Sequence, residues 1–333
     1  MPRVALAELE GLITRVLVRV GAPTEAAALT AAAIVYAEAS GIISHGLFRV
    51  AFLADQVSSG KIRVDTPPQV RHAGDALVLV DSGFGFGYVA AHVAVDALIT
   101  ALTDSPVAVA AVSNSHHFGV AGQYAERIAL AGYVGVATSS TFGAIAPIGG
   151  HSPLLSNPPI ALAAPRAQSW PLVIDVAPAV VARGKLADAA QRNEQIPSAW
   201  ALDESGQPTT DASAALKGTM RAIGGDKGVL IAMLLDVLVA VTTSSLLPGE
   251  APSVFTTDGP PPRLGQLFFA FDPLRFGVPD AKTKIDRYLA SLTEDGAGMR
   301  VPGERRREAR LRAQAKGLHV EQAILDNLQA RVG

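Results

Sequence analysis

VAVAAVSNSHHFGVAGQYAERIALAGYVGVAT, Val107 to Thr138, carries the decision about the fold. A short apolar run, VAVAAV, leads into a polar turn, NSHHFG. A stretch of helical spacing follows, then a second apolar run, YVGVAT. Short apolar runs bounded by Gly, Ser and Asp suit strands buried on both faces, and a helix between two of them suits a layered α/β core. ALVLVD (76–81), PIALAAP (159–165) and PLVIDVA (171–177) have the same character, and QLFFAFD (266–272) adds a late strand.

The chain ends read differently. Leu6, Leu9, Ile13 and Leu17 mark one face of a helix, a second helix runs from about Thr24 to Ser40, and Leu47, Val50, Leu53 and Val57 mark a third. From Ala281 onward the sequence reads as charged helices, which are expected to pack against the N-terminal ones. The expected division is a helical region of residues 1–72 and 260–333 around an α/β region of residues 73–259.

Composition narrows the function classes. With 28 Lys and Arg against 30 Asp and Glu, no field is built to hold nucleic acid or an anionic membrane. The absence of cysteine excludes disulfides, thiolate nucleophiles and Cys-based metal sites, and is compatible with a cytoplasmic setting. No metal site is expected. GVLIAMLLDVLVAVTTSSLL (228–247) raises the question of a membrane span, but Asp236 interrupts it and no aromatic belt accompanies it, so a buried helix is expected.

Several short stretches are candidates for chemistry. GFGFG (83–87) follows a strand and opens a helix, but its spacing is not that of a dinucleotide fingerprint, and sharp turning is the expected role of its glycines. In NSHHFG the adjacent His116 and His117 would face opposite ways on an extended backbone, so a metal site shared between them is not expected. They stand where a buried strand ends, which is where α/β sheets bind ligands. In SHGLFR (44–49), His45 can deliver a proton and Arg49, four residues on, can hold a carboxylate; a capping serine with a surface His and Arg is the plainer alternative. GGDKG (224–228) and PGERRR (302–307) suit an anion, or a helix cap and a solvated face.

Taken in order, SHGLFR, NSHHFG, APIGG, the SNP of LLSNPPIA, VIDVAPAVVARGK, IPSAWALDESGQPTTDASAALKG, GGDKG, FFAFDP and the late PGE resemble the type 2 malate/L-lactate dehydrogenase family over nearly the whole chain. The resemblance implies that family's own α/β fold, with a non-Rossmann nicotinamide-binding domain, a domain built from both chain ends, and a homodimer with the active site near the interface. It implies reduction of a 2-oxo acid of the malate, lactate or sulfolactate type with NAD or NADP, while other members reduce cyclic imino acids. A catalytically silent nicotinamide-binding sensor is the alternative from another class.

Carried over by position, His45 falls on the proposed proton donor, Ser44 on its hydrogen-bonded neighbour and Arg49 on the carboxylate-binding arginine. His117 falls on an acid/base or cofactor contact, and His116 on a variable slot. Phe118, Gly119, Ser140, Asp175, Val176, Ala177, Asp226, Lys227, Gly303, Glu304, Arg305 and Arg306 fall on cofactor contacts, and Arg183 and Ser156 are candidate substrate contacts. The imino-acid reductases have His-Gly-Asp where this chain has Arg183-Gly184-Lys185, and Lys185 cannot replace that Asp as a proton acceptor. A 2-oxo acid is therefore the expected substrate.

Overall fold

The computed structural model describes residues 2–296 and 299–333. Helices Leu6–Arg19, Thr24–Ala39 and Arg49–Ser58 form where the apolar spacing predicts them, and Leu9, Ile13, Leu17, Leu47, Val50 and Leu53 are buried together. The C-terminal helix Gln322–Ala330 adds Leu325 and Leu328 to that core, and Arg3–Val4 pairs antiparallel with Leu318–His319. The two ends of the chain thus share one hydrophobic core.

The central sheet has seven strands in the order Gln69–His72, Leu77–Asp81, Val107–Ser115, Leu264–Phe271, Val134–Ser139, Ile160–Ala164, Leu172–Val176. Leu77–Asp81 and Val107–Ser115 run parallel, joined by the helix Gly87–Ala101; the other neighbours are antiparallel. Helices Gly87–Ala101 and Ala121–Leu130 cover one face. Small side chains there, including Ala108, Ala110, Ala137 and Ala161, let the helices lie close around the fully buried Phe268. Burying one such phenylalanine contributes on the order of 1.5–3 kcal/mol.

Two expectations from the sequence need correcting. A boundary at residue 260 would leave Leu264–Phe271 with the terminal helices, yet this strand pairs on both sides at the middle of the sheet. Sequence distance hides a partner that only backbone hydrogen bonding supplies. The apolar segment forms the helix Asp226–Thr243, but in the single chain it is buried along one side only. Ala232, Leu235 and Val239 face protein, while Leu230 (55% exposed), Leu234 (63%) and Val241 (74%) face outward. Among the described residues, no helix is long and apolar enough to cross a membrane.

A smaller sheet of Ala201–Leu202, Thr219–Met220, Gly143–Ile145 and Leu155–Ser156 packs with helices Arg183–Gln191 and Ala212–Lys217 around Leu186, Ile196 and Met220. The sequence alone did not separate this unit. It supplies one wall of the main cavity.

Candidate active site

The strand Val107–Ser115 ends in a braced turn. Asn114, at φ 50°, donates through Nδ2 to both carboxylate oxygens of Asp81 at 3.0 and 3.1 Å, and Asp81 also accepts the Gly83 N–H at 2.9 Å. The Phe84 N–H donates to the Asn114 carbonyl at 2.8 Å. This couples the GFGFG turn to the histidine loop. A Cβ on Gly87 would stand 2.2 Å from the His116 carbonyl oxygen, and one on Gly119 (φ 86°) 2.8 Å from the Tyr88 ring. GFGFG is the seat of the histidine loop, as its expected turning role implies, and its glycines do not line the cavity beside it.

That cavity has a volume of about 840 Å³. Ser44 and His45 enter it from the 3₁₀ turn Ile43–His45, with Ser44 Oγ 2.9 Å from His45 Nδ1. Arg49 opens the next helix, only 8% exposed, and its Nε donates to the Ser44 carbonyl at 3.0 Å. Its guanidinium lies 4.5 Å from the centroid of Phe255 and 5.2 Å from that of Phe48. Such contacts offset part of the cost of burying the charge, but they do not neutralise it.

The His45 and His117 rings are 5.1 Å apart. The His117 Nδ1 accepts the Gly119 N–H at 3.2 Å and lies 3.3 Å from the Tyr88 hydroxyl, which leaves Nε2 to carry the ring proton. Burial pushes the His45 pKa down to about 3, with Arg49 and Arg306 adding to the effect. Burial also holds His117 well below its ordinary value, with Arg49 and His45 contributing. Both rings are therefore neutral near pH 7 in the free chain. His116 makes other contacts. Its carbonyl accepts from Gln266 Nε2 at 2.9 Å, its ring is buried, and among the described residues neither ring nitrogen has a hydrogen-bond partner.

On the far wall, Asp175, Val176 and Ala177 stand at the end of the last strand. Asp175 pairs with Arg306 at 2.6 Å and is the one acidic residue lining the cavity among those described. Ser140, also on the wall, accepts the Gly265 N–H at 2.9 Å. Phe118 stacks on Tyr124 and serves mainly as core. Arg183 lines the cavity with its Nη2 donating to the Leu216 carbonyl at 2.7 Å, and Gly184 approaches the Ser44 side chain so closely that a Cβ there would meet it at 2.9 Å.

Other positions singled out in the sequence lie off this wall. Ser156 is fully buried: its N–H donates to Asp236 at 2.9 Å and its hydroxyl to the other oxygen of the same carboxylate. The cavity at this loop is lined by Asn157 instead. The expected substrate contact at Ser156 is corrected on this point, because the acidic interruption of the apolar helix captures its hydroxyl. Asp226 and Lys227 are exposed at the start of that helix, Arg305 is exposed, and Gly303 and Glu304 lie against Val173 and Arg166.

The sequence reading missed Phe255 and Tyr88. Neither carries a local signal, since each acquires its role by packing on a residue distant in sequence.

The cavity suits a nicotinamide dinucleotide. Its volume is at the upper end of the roughly 300–1,000 Å³ of small-molecule sites, and the helix Ala121–Leu130 presents an N-terminus without a side-chain cap at its wall. Uncapped amides suit an anionic group; the Asp175 carboxylate, which a Cβ on Gly122 would meet at 2.9 Å, lies beside them and pairs with Arg306.

A family model described as malate/L-lactate dehydrogenase matches residues 4–329. The chain is 38% identical over 327 residues to the (2R)-3-sulfolactate dehydrogenase (NADP(+)) of Chromohalobacter salexigens, covering 98% of this chain and 97% of that one. It is 33% identical over 330 residues to the Delta(1)-pyrroline-2-carboxylate reductase of Ancylobacter novellus, with 98% and 97% covered. The crystal structure of delta1-piperideine-2-carboxylate reductase from Pseudomonas syringae is similar with a TM-score of 0.92 at 30% identity, covering 99% of this chain and all of that one (100%).

Proposed function

The chain belongs to the malate/L-lactate dehydrogenase family, and from that premise we propose that it transfers a hydride reversibly between NAD or NADP and C2 of a small 2-hydroxy or 2-oxo acid. The observation that carries this reading is Arg49. A guanidinium this buried is costly unless paired, and among the described residues no carboxylate pairs with it. A substrate carboxylate, held by paired hydrogen bonds, is the partner the site lacks. When bound, the nicotinamide ring supplies or accepts the hydride; the chain's own residues handle the carboxylate and the proton.

The two histidines divide the proton work. His45 Nδ1 faces a hydroxyl, which can donate to the neutral ring and accept from the charged one, so His45 can change protonation state without losing its partner. His117 Nδ1 accepts from an amide that cannot reverse, so protonating it would break that bond and leave only the longer contact with the Tyr88 hydroxyl at 3.3 Å. His45 is accordingly the proton donor to the forming hydroxyl, and His117 a fixed Nε2–H donor beside it. Because Arg49 is among the charges that depress the His45 pKa, a carboxylate bound on Arg49 raises that pKa and readies the acid when substrate is present. Asp175, Val176, Ala177, Ser140, Gly119 and Arg306 form the cofactor side, and Arg183 stands as a second anion contact.

The imino-acid alternative has less support. Lys185 is exposed and off the cavity wall, and the wall's acidic residue, Asp175, is paired with Arg306. We further propose a homodimer, supported by the outward apolar side of Asp226–Thr243, a larger unpartnered stripe than single scattered surface residues make, and a cytoplasmic setting, with which the absence of cysteine is compatible. The test is loss of reduced-nicotinamide absorbance with NADH and with NADPH across a panel of 2-oxo acids and cyclic imino acids. Turnover of an oxo acid is expected. Turnover of imino acids alone would overturn the substrate assignment, and cofactor binding with no turnover on either panel would make the protein a sensor.

A further inference from the structure

We propose that Lys61, assisted by Gln56, is a positioning residue that holds the substrate-facing loop Ser253 to Asp258 closed over Arg49. Lys61 is 2% exposed, and among the described residues no carboxylate pairs with it. Instead its ammonium donates to the backbone carbonyls of Ser253 at 2.8 Å, Thr256 at 3.1 Å and Asp258 at 2.7 Å, with the Thr256 hydroxyl at 3.4 Å. Gln56, 1% exposed, donates to the carbonyls of Val254 and Thr256, both at 2.9 Å.

A buried ammonium whose three shortest hydrogen bonds all go to backbone carbonyls is a device for fixing backbone, because each of its three donors is matched to a separate peptide, with the Asp258 charge near enough to favour the ammonium. The fixed segment carries Phe255. Its ring lies 4.5 Å from the Arg49 guanidinium and edge-on to Phe52 and Phe142 at 6.0 and 5.7 Å. Gln56 sits on the helix that Arg49 opens, and Lys61 follows just beyond its end. One short stretch of chain therefore presents the arginine at one end and ties down the aromatic ring above it at the other. Release of the tether would let Phe255 leave Arg49, so that the guanidinium loses its fixed plane and with it the geometry needed for bidentate contact.

This inference rests on Arg49 holding the substrate carboxylate, and the experiment separates the two ideas. Lys61→Met, Lys61→Arg and Gln56→Leu are compared with the parent by hydrogen exchange and by steady-state kinetics, with Arg49→Lys as a reference. Lys61→Met should speed amide exchange in the peptide covering 253–258 and raise KM for the 2-oxo acid about tenfold, with KM for the nicotinamide within about twofold. Lys61→Arg should restore part of the effect, and Phe255→Leu combined with Lys61→Met should cost little more than either alone, since both act through the same contact.

Unchanged exchange at 253–258 in both Lys61→Met and Gln56→Leu would overturn the tether. Faster exchange with an unchanged oxo-acid KM, or fully additive losses with Phe255→Leu, would overturn its role in positioning. If Lys61→Met does not fold, Gln56→Leu carries the same test. An oxo-acid KM unaffected by Arg49→Lys would remove the carboxylate assignment itself while leaving the exchange result to judge the tether.

Discussion

At Nδ1, His45 meets a serine hydroxyl, while His117 meets a backbone N–H with the Tyr88 hydroxyl at 3.3 Å, and that difference separates two otherwise similar half-buried imidazoles. A positioned proton donor contributes about 10²–10⁴-fold to rate. His45→Ala should therefore lower kcat with the 2-oxo acid by about that factor and leave nicotinamide affinity within about twofold, as read by fluorescence titration of the reduced cofactor. His117→Gln, which keeps a donor but loses the fixed ring, should cost less. A larger loss at His117 would reverse the assignment. At this scale the residue types in SHGLFR left two readings open, a proton donor with a carboxylate-binding arginine or a helix cap with a surface His and Arg, and only the resemblance to the family favoured the first. Ser156 was not legible, because what captured its hydroxyl is Asp236, eighty positions away in the chain.

Between elements, close approach governs the site more than propensity does. Gly87 is the first residue of Gly87–Ala101, where alanine would favour the helix by up to about 1 kcal/mol. Yet the added Cβ would sit 2.2 Å from the His116 carbonyl oxygen and 2.7 Å from that of His117, and both are backbone atoms that cannot swing away. Steric cost wins, since overpacking of this kind typically costs about 1–3 kcal/mol. Gly87→Ala should lower the urea midpoint accordingly and depress activity, because the histidine loop must shift; a midpoint equal to or above the parent's would show that the loop is not seated as described. The sequence pattern correctly marked these glycines as turn formers. It could not say what they turn against, since the neighbouring loop is brought there by the parallel pairing of Leu77–Asp81 with Val107–Ser115.

Across the whole molecule, the helix Asp226–Thr243 stands out for an apolar side left exposed in the chain. Its inner side packs on the central sheet, and its outer side exposes Leu230, Leu234 and Val241. If a second copy covers that side, Leu234→Glu with Val241→Glu should convert a dimer to a folded monomer in sedimentation, with little change in far-UV circular dichroism. A parent that sediments as a monomer would refute the dimer. The same helix shows the limit of periodicity. Its apolar residues run nearly all the way round, a pattern that fits burial in a core and burial against a partner equally well, because both remove the same surface from water. By itself, then, the sequence determined the layered α/β character, the helical chain ends and the turn at GFGFG, since these follow from spacing within one or two turns or strands. Only the tertiary structure decided that Leu264–Phe271 lies mid-sheet, that Phe255 covers Arg49, and what each histidine's Nδ1 meets. Those outcomes depend on hydrogen bonds and packing between segments remote in the chain, whose energies no local pattern encodes.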